Sequence, residues 1–153
     1  MRVHTPLACG KTRRESTTLV PAVVFQREIL EKLAYIAVAG ALGTLARYGL
    51  VVFFQRQGYA GLPWGIFVAN MLGAFLFGLI WAALEDRGVT NENLRAFALV
   101  GFMGAFTTFS TFAFENVQMA RSSEWGWFAT NMIATNLGGL ACIYAGFKLA
   151  RVI

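Results

Sequence analysis

The chain has 153 residues, of which 57% are hydrophobic and 14% are charged, whereas about a quarter of the residues in an ordinary soluble domain are charged. This composition argues against a soluble domain and predicts a polytopic membrane protein. The net charge of +5 would favour nucleic acid as the partner of a soluble protein, but here the charges lie in the tail and in short loops, where they act as topology signals.

The sequence also argues against an enzyme. Cys9 and Cys142 are far apart and form no CxxC pattern, and His4 is the single histidine of the chain. No nucleophile-elbow, Walker or dinucleotide-binding pattern is present. We therefore expect transport chemistry rather than catalysis.

The N-terminal residues 1–30 are polar and basic, and we expect a disordered or interfacial tail here. Ala22, Phe25, Ile29 and Leu33 recur at helical spacing, which predicts a short interfacial helix that leads into the first membrane span. Residues 31–153 are predicted to form one four-helix transmembrane domain.

Four apolar segments follow the tail, and each is long enough to cross a bilayer as a helix. They run roughly from Leu33 to Gln55, Pro63 to Leu84, Ala96 to Ala120 and Trp125 to Phe147. The fold class predicted is therefore an all-α membrane protein with four transmembrane helices.

Lysine and arginine are distributed unequally between the two ends of these segments. Arg56 and Arg121 flank one end, whereas the other end holds all of the following: Arg2, Lys11, Arg13, Arg14, Arg27, Lys32, Arg87, Arg95, Lys148 and Arg151. The positive-inside rule then predicts that both termini are cytoplasmic.

The third segment contains Gly101-Phe-Met-Gly-Ala-Phe-Thr-Thr-Phe-Ser-Thr-Phe112, in which glycines and hydroxyls interrupt an uncharged run. Residues 104–108 favour a helix broken at its centre over a continuous one. Non-helical backbone at membrane depth is tolerated only where it lines a cavity or is buried in protein. We therefore expect this segment to be the functional centre of a transport protein.

Several polar side chains lie within the other apolar segments. Asn70 is in the middle of the second segment, and Asn131 and Thr135 share one face of the fourth. Such groups either hold helices together or line a pathway. Arg47 should face a vestibule, snorkel or pair with a carboxylate, and Glu115 is the acidic candidate; whether the two meet stays open.

Four motifs occur in order along the chain: Gly40-Ala-Leu-Gly-Thr-Leu-Ala-Arg-Tyr48, Trp64-Gly-Ile-Phe-Val-Ala-Asn-Met-Leu-Gly-Ala-Phe-Leu-Phe-Gly78, the run from Gly101 to Phe112, and Gly138-Gly-Leu-Ala. In these motifs and their order the chain resembles the fluoride channel family, the Fluc or CrcB proteins. Together the motifs cover residues 35–150.

The resemblance implies an antiparallel, dual-topology homodimer with two fluoride pores and a structural sodium ion at the dimer interface. Backbone carbonyls of Gly104 and Thr107 would hold the sodium, which accords with the preference of hard cations for oxygen ligands. Phe109 and Phe112 match the pore phenylalanines of the family and Asn70 its pore asparagine. Hydroxyls of Ser110 and Thr111 can replace part of the hydration shell of fluoride.

Two features depart from the family pattern. Asn131 and Thr135 stand where many members have a tyrosine and a serine, so donor groups are kept while the aromatic ring is lost. The one-sided lysine and arginine distribution also conflicts with dual topology. The partner is thus either a second, antiparallel copy or an oppositely oriented paralogue.

The function implied is a passive fluoride-selective channel in the plasma (inner) membrane of a microbe, which exports cytoplasmic fluoride and gives fluoride resistance. Two alternatives remain at this point. A proton-coupled four-helix exporter would need a titratable carboxylate in its cavity, and a non-transporting scaffold subunit would not need Asn70, a broken helix and paired phenylalanines together.

Overall fold

A computed structural model of the chain describes residues 19–59, 61–88 and 91–153, with side chains from Phe25 onward. All regular structure in these ranges is helical. The helices are α1 (Leu19–Gln57), α2 (Trp64–Asp86), α3 (Glu92–Arg95), α4 (Gly104–Phe106), α5 (Phe109–Arg121) and α6 (Trp125–Ala150), with a π-helical segment, Ala96–Met103, between α3 and α4.

Four stretches of helix are long and apolar enough to cross a membrane, and they confirm the predicted four-helix architecture. They are Phe25–Gln57, Trp64–Asp86, Glu92–Arg121 and Trp125–Ala150, which we call the first to fourth spans. Each extends a few residues beyond the apolar segment seen in the sequence, because helices continue into the polar ends.

The first helix differs most from its expected bounds. α1 begins at Leu19 and runs without interruption into the first span, so the helix includes residues that the sequence assigned to the tail. The apolar positions at helical spacing continue the register of the span and favour one long helix. Residues 1–18 lie outside the described part of the chain.

The third span consists of several short elements. Asn91 caps α3, its Oδ1 accepting hydrogen bonds from the backbone N–H groups of Asn93 and Leu94. The π-helical segment and α4 follow, and α5 begins at Phe109. Between α4 and α5, Thr107 has φ −87° and ψ 156° and Thr108 has φ −150° and ψ 121°, which are extended conformations. We call these two residues the extended pair.

Glycines allow the spans to approach closely in two helix pairs. A Cβ at Gly78 would overlap the Ile143 carbonyl, and one at Gly146 would overlap the Phe75 carbonyl, so α2 and α6 pack backbone to backbone. A Cβ at Gly43 would overlap the Phe102 carbonyl, which brings α1 equally close to the third span. These contacts set the spacing between α2 and α6 and between α1 and the third span.

Candidate functional site

A cavity of about 240 Å³ lies where the extended pair meets α2 and α6. We call it the Asn70 cavity. Its lining residues combine amide, hydroxyl and aromatic groups, and they are Asn70, Met71, Thr107, Thr108, Phe109, Phe112, Thr135, Asn136 and Gly139. Four of the residues predicted to line a pore, Asn70, Phe109, Phe112 and Thr135, therefore lie around one space.

Asn70 makes two hydrogen bonds to the backbone of Thr108. Its Nδ2 donates to the Thr108 carbonyl at 3.3 Å, and its Oδ1 accepts from the Thr108 N–H at 2.9 Å. These bonds satisfy both polar groups of a residue that has left the helix, which is required of backbone at membrane depth. Asn70 thus lines the cavity and also holds the extended pair.

Hydroxyl groups surround the extended pair. Thr107 Oγ1 donates to the Met103 carbonyl at 3.0 Å, and Thr108 Oγ1 caps α5 by accepting from the Thr111 N–H at 3.3 Å. Thr108 Oγ1 also lies 3.2 Å from the hydroxyls of both Ser110 and Thr111. Ser110 and Thr111 therefore belong to a hydroxyl cluster next to the Asn70 cavity, outside the set of residues that line it.

The two phenylalanines are neighbours on α5 but have different surroundings. Their ring centroids are 5.9 Å apart and their planes are inclined by 47°. Phe112 is 5% exposed, whereas Phe109 is 78% exposed on the surface of the subunit. A ring so exposed in an apolar helix must contact lipid or another protein chain.

The fourth span contributes Thr135 and Asn136 to the cavity. Asn131 is fully buried beside them, and its Oδ1 accepts a hydrogen bond from Thr135 Oγ1 at 3.2 Å. It does not itself line the Asn70 cavity.

Asn136 was not selected from the sequence, because the search for polar residues on the face of Asn131 leads to Thr135 and passes over its neighbour. Its Nδ2 donates to the Met132 carbonyl at 2.6 Å.

The carbonyls of Gly104 and Thr107, the predicted sodium ligands, have lost their usual helical partners. In a continuous helix the N–H groups of Thr108 and Thr111 would donate to them. Here Thr108 N–H donates to Asn70 Oδ1, and Thr111 N–H donates to Thr108 Oγ1. Two neutral oxygens thus lose their helical donors, and neutral oxygen is a ligand type that suits a hard cation.

Arg47 and Glu115 line a second cavity, of about 340 Å³, between α1 and α5. We call it the Arg47 cavity. Arg47 Nε donates to the Ala105 carbonyl at 3.2 Å, just before the extended pair. No ion pair between Arg47 and Glu115 is formed within the described residues. The two side chains therefore share a cavity, while the guanidinium hydrogen-bonds to the backbone of α4.

Four helices long and apolar enough to cross a membrane indicate a multi-pass membrane protein, and a cavity lined by donors and aromatic rings suits the ion-transporting class. Residues 34–147 match the family model described as CrcB-like protein, Camphor Resistance (CrcB). The chain belongs to this CrcB family.

Curated relatives carry a functional name. The chain is 51% identical over 123 residues to the fluoride-specific ion channel FluC of Nitrosococcus oceani, an alignment that covers 80% of this chain and 98% of the relative. It is 44% identical to the protein of the same name from Desulforapulum autotrophicum, over 80% of this chain and 98% of the relative. It is 41% identical to the protein of the same name from Nitratidesulfovibrio vulgaris, over 81% of this chain and 100% of the relative. Nearly the whole length of each relative is thus matched.

Proposed function

We propose that this chain is a passive, fluoride-selective ion channel that lets cytoplasmic fluoride leave a microbial cell across the plasma membrane. Membership of the CrcB family and the sequence identity to named fluoride channels support fluoride as the transported ion. The chain is accordingly a transport protein rather than an enzyme. The observation that carries the assignment is the Asn70 cavity, which combines hydrogen-bond donors with two phenylalanines.

Fluoride is small and strongly hydrated, so the pore must replace part of its water shell. The amide of Asn136 keeps one N–H beyond the one that it donates to Met132 and can donate it to the anion. The hydroxyls of Thr108 and Thr135 can do the same once they release Thr111 and Asn131, to which they donate in this structure. The positive ring edges of Phe109 and Phe112 add weaker contacts. Several weak sites in series favour throughput over trapping.

Asn70 has a more specific place in this scheme. Its amide is engaged by Thr108, so it acts by keeping the extended pair in position and by forming part of the cavity wall. Asn131 supports Thr135 from behind through their hydrogen bond. The hydroxyls of Ser110 and Thr111 lie within hydrogen-bonding distance of the Thr108 hydroxyl, and these bonds would set its direction relative to the path.

The Arg47 cavity is suited to be the vestibule of the path. It lies beside the hydroxyl cluster and shares Thr111 with it. The charge of Arg47 would concentrate anions there, while its bond to the Ala105 carbonyl fixes the guanidinium. Glu115, in the same wall, opposes anion accumulation and so limits how firmly fluoride is held.

A structural sodium ion fits the carbonyls of Gly104 and Thr107, because their helical donors bond elsewhere. Bound at the dimer interface, the ion would neutralise carbonyl dipoles that water cannot reach. The dimer would consist of two antiparallel copies, or of this chain and an oppositely oriented paralogue. The exposed Phe109 supports a partner, which would cover this ring and complete the pore wall.

Fluoride efflux from liposomes tests this function against a proton-coupled exporter. Purified protein in vesicles loaded with potassium fluoride should release fluoride when valinomycin is added, at a rate that does not change when a pH gradient is imposed. No carboxylate lines the Asn70 cavity among the described residues, and Glu115 lies in the wall of the Arg47 cavity instead, so we expect no proton coupling. Uphill fluoride movement driven by a pH gradient would contradict the channel, and the absence of efflux would contradict transport.

A further inference from the structure

The Arg47 cavity adjoins a third cavity, of about 170 Å³, at the end of the bundle where α2 begins. We call it the Trp64 cavity. Four residues line both spaces, and they are Val51, Gln55, Ile66 and Glu115. Because two cavities that share four wall residues lie side by side, these residues form the boundary between them, which we call the junction.

One face of α1 and one face of α5 run past both cavities. Arg47, Val51 and Gln55 recur every four residues on α1 and so lie on one face of it, and Thr111 and Glu115 do the same on α5. At about 1.5 Å per residue, Gln55 lies about 12 Å along α1 from Arg47, and Glu115 lies about 6 Å along α5 from Thr111. The cavities therefore form a series that starts beside the hydroxyl cluster and ends where α2 begins.

The Trp64 cavity reaches the end of the membrane-spanning helices. Its wall includes Trp64, the first residue of α2, and Tyr59, which lies between α1 and α2 and is 60% exposed. The two rings are neighbours, with centroids 6.4 Å apart, and tryptophan and tyrosine are typical of membrane–water interfaces. α2 also begins here without a side-chain cap, so the positive end of its dipole lies beside the space that an anion would cross.

Gln55 is the residue of the junction whose side chain can donate a hydrogen bond to an anion without giving up another bond. Val51 and Ile66 are apolar, and an ionised Glu115 repels anions. Gln55 is exposed, and its amide takes part in none of the side-chain hydrogen bonds formed within the described residues. Both N–H groups of this amide are therefore open to an anion.

We propose that fluoride passes from the Arg47 cavity into the Trp64 cavity and that Gln55 donates a hydrogen bond to the anion at the junction. The inference rests on the proposed function and extends the path to the end of the bundle. Fluoride that leaves the guanidinium of Arg47 passes the Glu115 carboxyl group, and the Gln55 amide in the same wall offsets the repulsion. Gln55 is thus a specificity-determining residue, because a hydrogen-bond donor binds small fluoride more strongly than larger chloride.

The role of Gln55 is tested by removing its donor groups. Gln55→Leu should lower fluoride efflux from liposomes about tenfold, because the donor is lost while most of the side-chain volume is kept. Gln57→Leu is the matched control, since Gln57 is exposed on the same helix and lines neither cavity. Both variants should keep the thermal midpoint of the unmodified protein, because exposed positions contribute little to stability. Fluoride efflux that is unchanged in Gln55→Leu, or lowered equally in both variants, would overturn the role of Gln55.

The route is tested by blocking the junction chemically. In a Cys9→Ser, Cys142→Ser background, Gln55→Cys and Gln57→Cys each place one thiol on α1 for a charged methanethiosulfonate reagent, and mass spectrometry measures the extent of reaction. Modification at position 55 should stop most fluoride efflux, whereas modification at position 57 should leave it unchanged. Unchanged efflux after complete reaction at position 55 would overturn the route, and so would a thiol at that position that does not react.

The same assays separate this inference from the proposed function. An unmodified protein that passes no fluoride would contradict the proposed function, and this inference with it. A protein that conducts fluoride, and does so equally well after Gln55→Leu and after thiol modification at position 55, would overturn this inference alone.

Discussion

Phe109 and Phe112 lie less than one helical turn apart, yet one ring is buried and the other is exposed. Phe112 is held by the packing of its own subunit, and its carbonyl accepts the Asn116 amide. Phe109 has a free face that only lipid or a partner chain can cover. The same substitution at the two positions should therefore have different side effects on stability.

Phe109→Ile and Phe112→Ile should each lower fluoride flux by about tenfold, because a ring-edge contact of about 1.5 kcal/mol is lost while most of the volume is kept. The measurement is fluoride efflux from liposomes at equal protein content. Phe112→Ile should also lower the thermal midpoint, whereas Phe109→Ile should not change that of the isolated subunit. Efflux close to that of the unmodified protein in both variants would contradict the pore assignment.

Asn70→Asp should abolish flux and destabilise the fold by about 1–3 kcal/mol, because a carboxylate cannot donate to the Thr108 carbonyl. Efflux and thermal unfolding measure the two effects. Asn91→Asp is a matched control, since Asn91 uses its Oδ1 alone to cap α3. A conducting, stable Asn70→Asp protein would show that the donor bond to Thr108 is dispensable.

At the scale of the elements, the number and type of helices could be predicted from the sequence, because twenty or so apolar residues leave few alternatives in a bilayer. The ends of the helices could not be predicted in the same way, because the third span continues into polar residues such as Glu92 and Arg121. That Asn70, Phe109, Phe112 and Thr135 lie around one cavity could be predicted only from the resemblance of the motifs to those of the family. The hydrogen bonds of Asn70 to Thr108 depend on the register between two helices, which a single sequence does not contain.

The close packing of α1 on the third span makes Gly43 sensitive to any side chain. Gly43→Ala should destabilise the protein by about 1–3 kcal/mol, because the new Cβ meets the backbone of Phe102 and Phe106. Gly49→Ala is the matched control on the same helix, since nothing lies within 4 Å of the position that a Cβ would take there. Thermal unfolding in detergent compares them, and equal midpoints would contradict the packing described.

At the scale of the whole molecule, we expect a substitution at Gly104 to affect the assembly of subunits and to leave the folding of each subunit intact. A Cβ at Gly104 would meet only the Leu99 carbonyl, at 3.9 Å, within the described subunit. Gly104→Val should therefore leave helix content unchanged while it impairs formation of the proposed dimer around the proposed sodium ion. Circular dichroism and size-exclusion chromatography measure the two properties. Gly126→Val, also in open surroundings, is the control that should stay dimeric.

The sodium ion, if its role is structural, should not drive transport. A sodium gradient across liposomes should leave the direction of fluoride flux unchanged when the voltage is clamped, because in the proposed site the carbonyls of Gly104 and Thr107 would hold the ion without exchange in a transport cycle. A fluoride electrode measures the direction of fluoride flux, with the sodium gradient imposed in each of the two directions. Uphill fluoride movement driven by sodium would make the site part of a coupled mechanism.

The pairing of Asn70 with Thr108 has a mechanical consequence. One side-chain amide offers an N–H and a C=O to the N–H and C=O of a single residue, as one strand does to its neighbour in a sheet. Within the described residues, whose regular structure is helical, this pair thus reproduces the hydrogen bonding of one residue pair in a β-sheet, with a side chain in place of one backbone. A pair of this kind resists shear, since sliding α2 along the third span would break both bonds at once. We therefore expect the second span and the extended pair to move together.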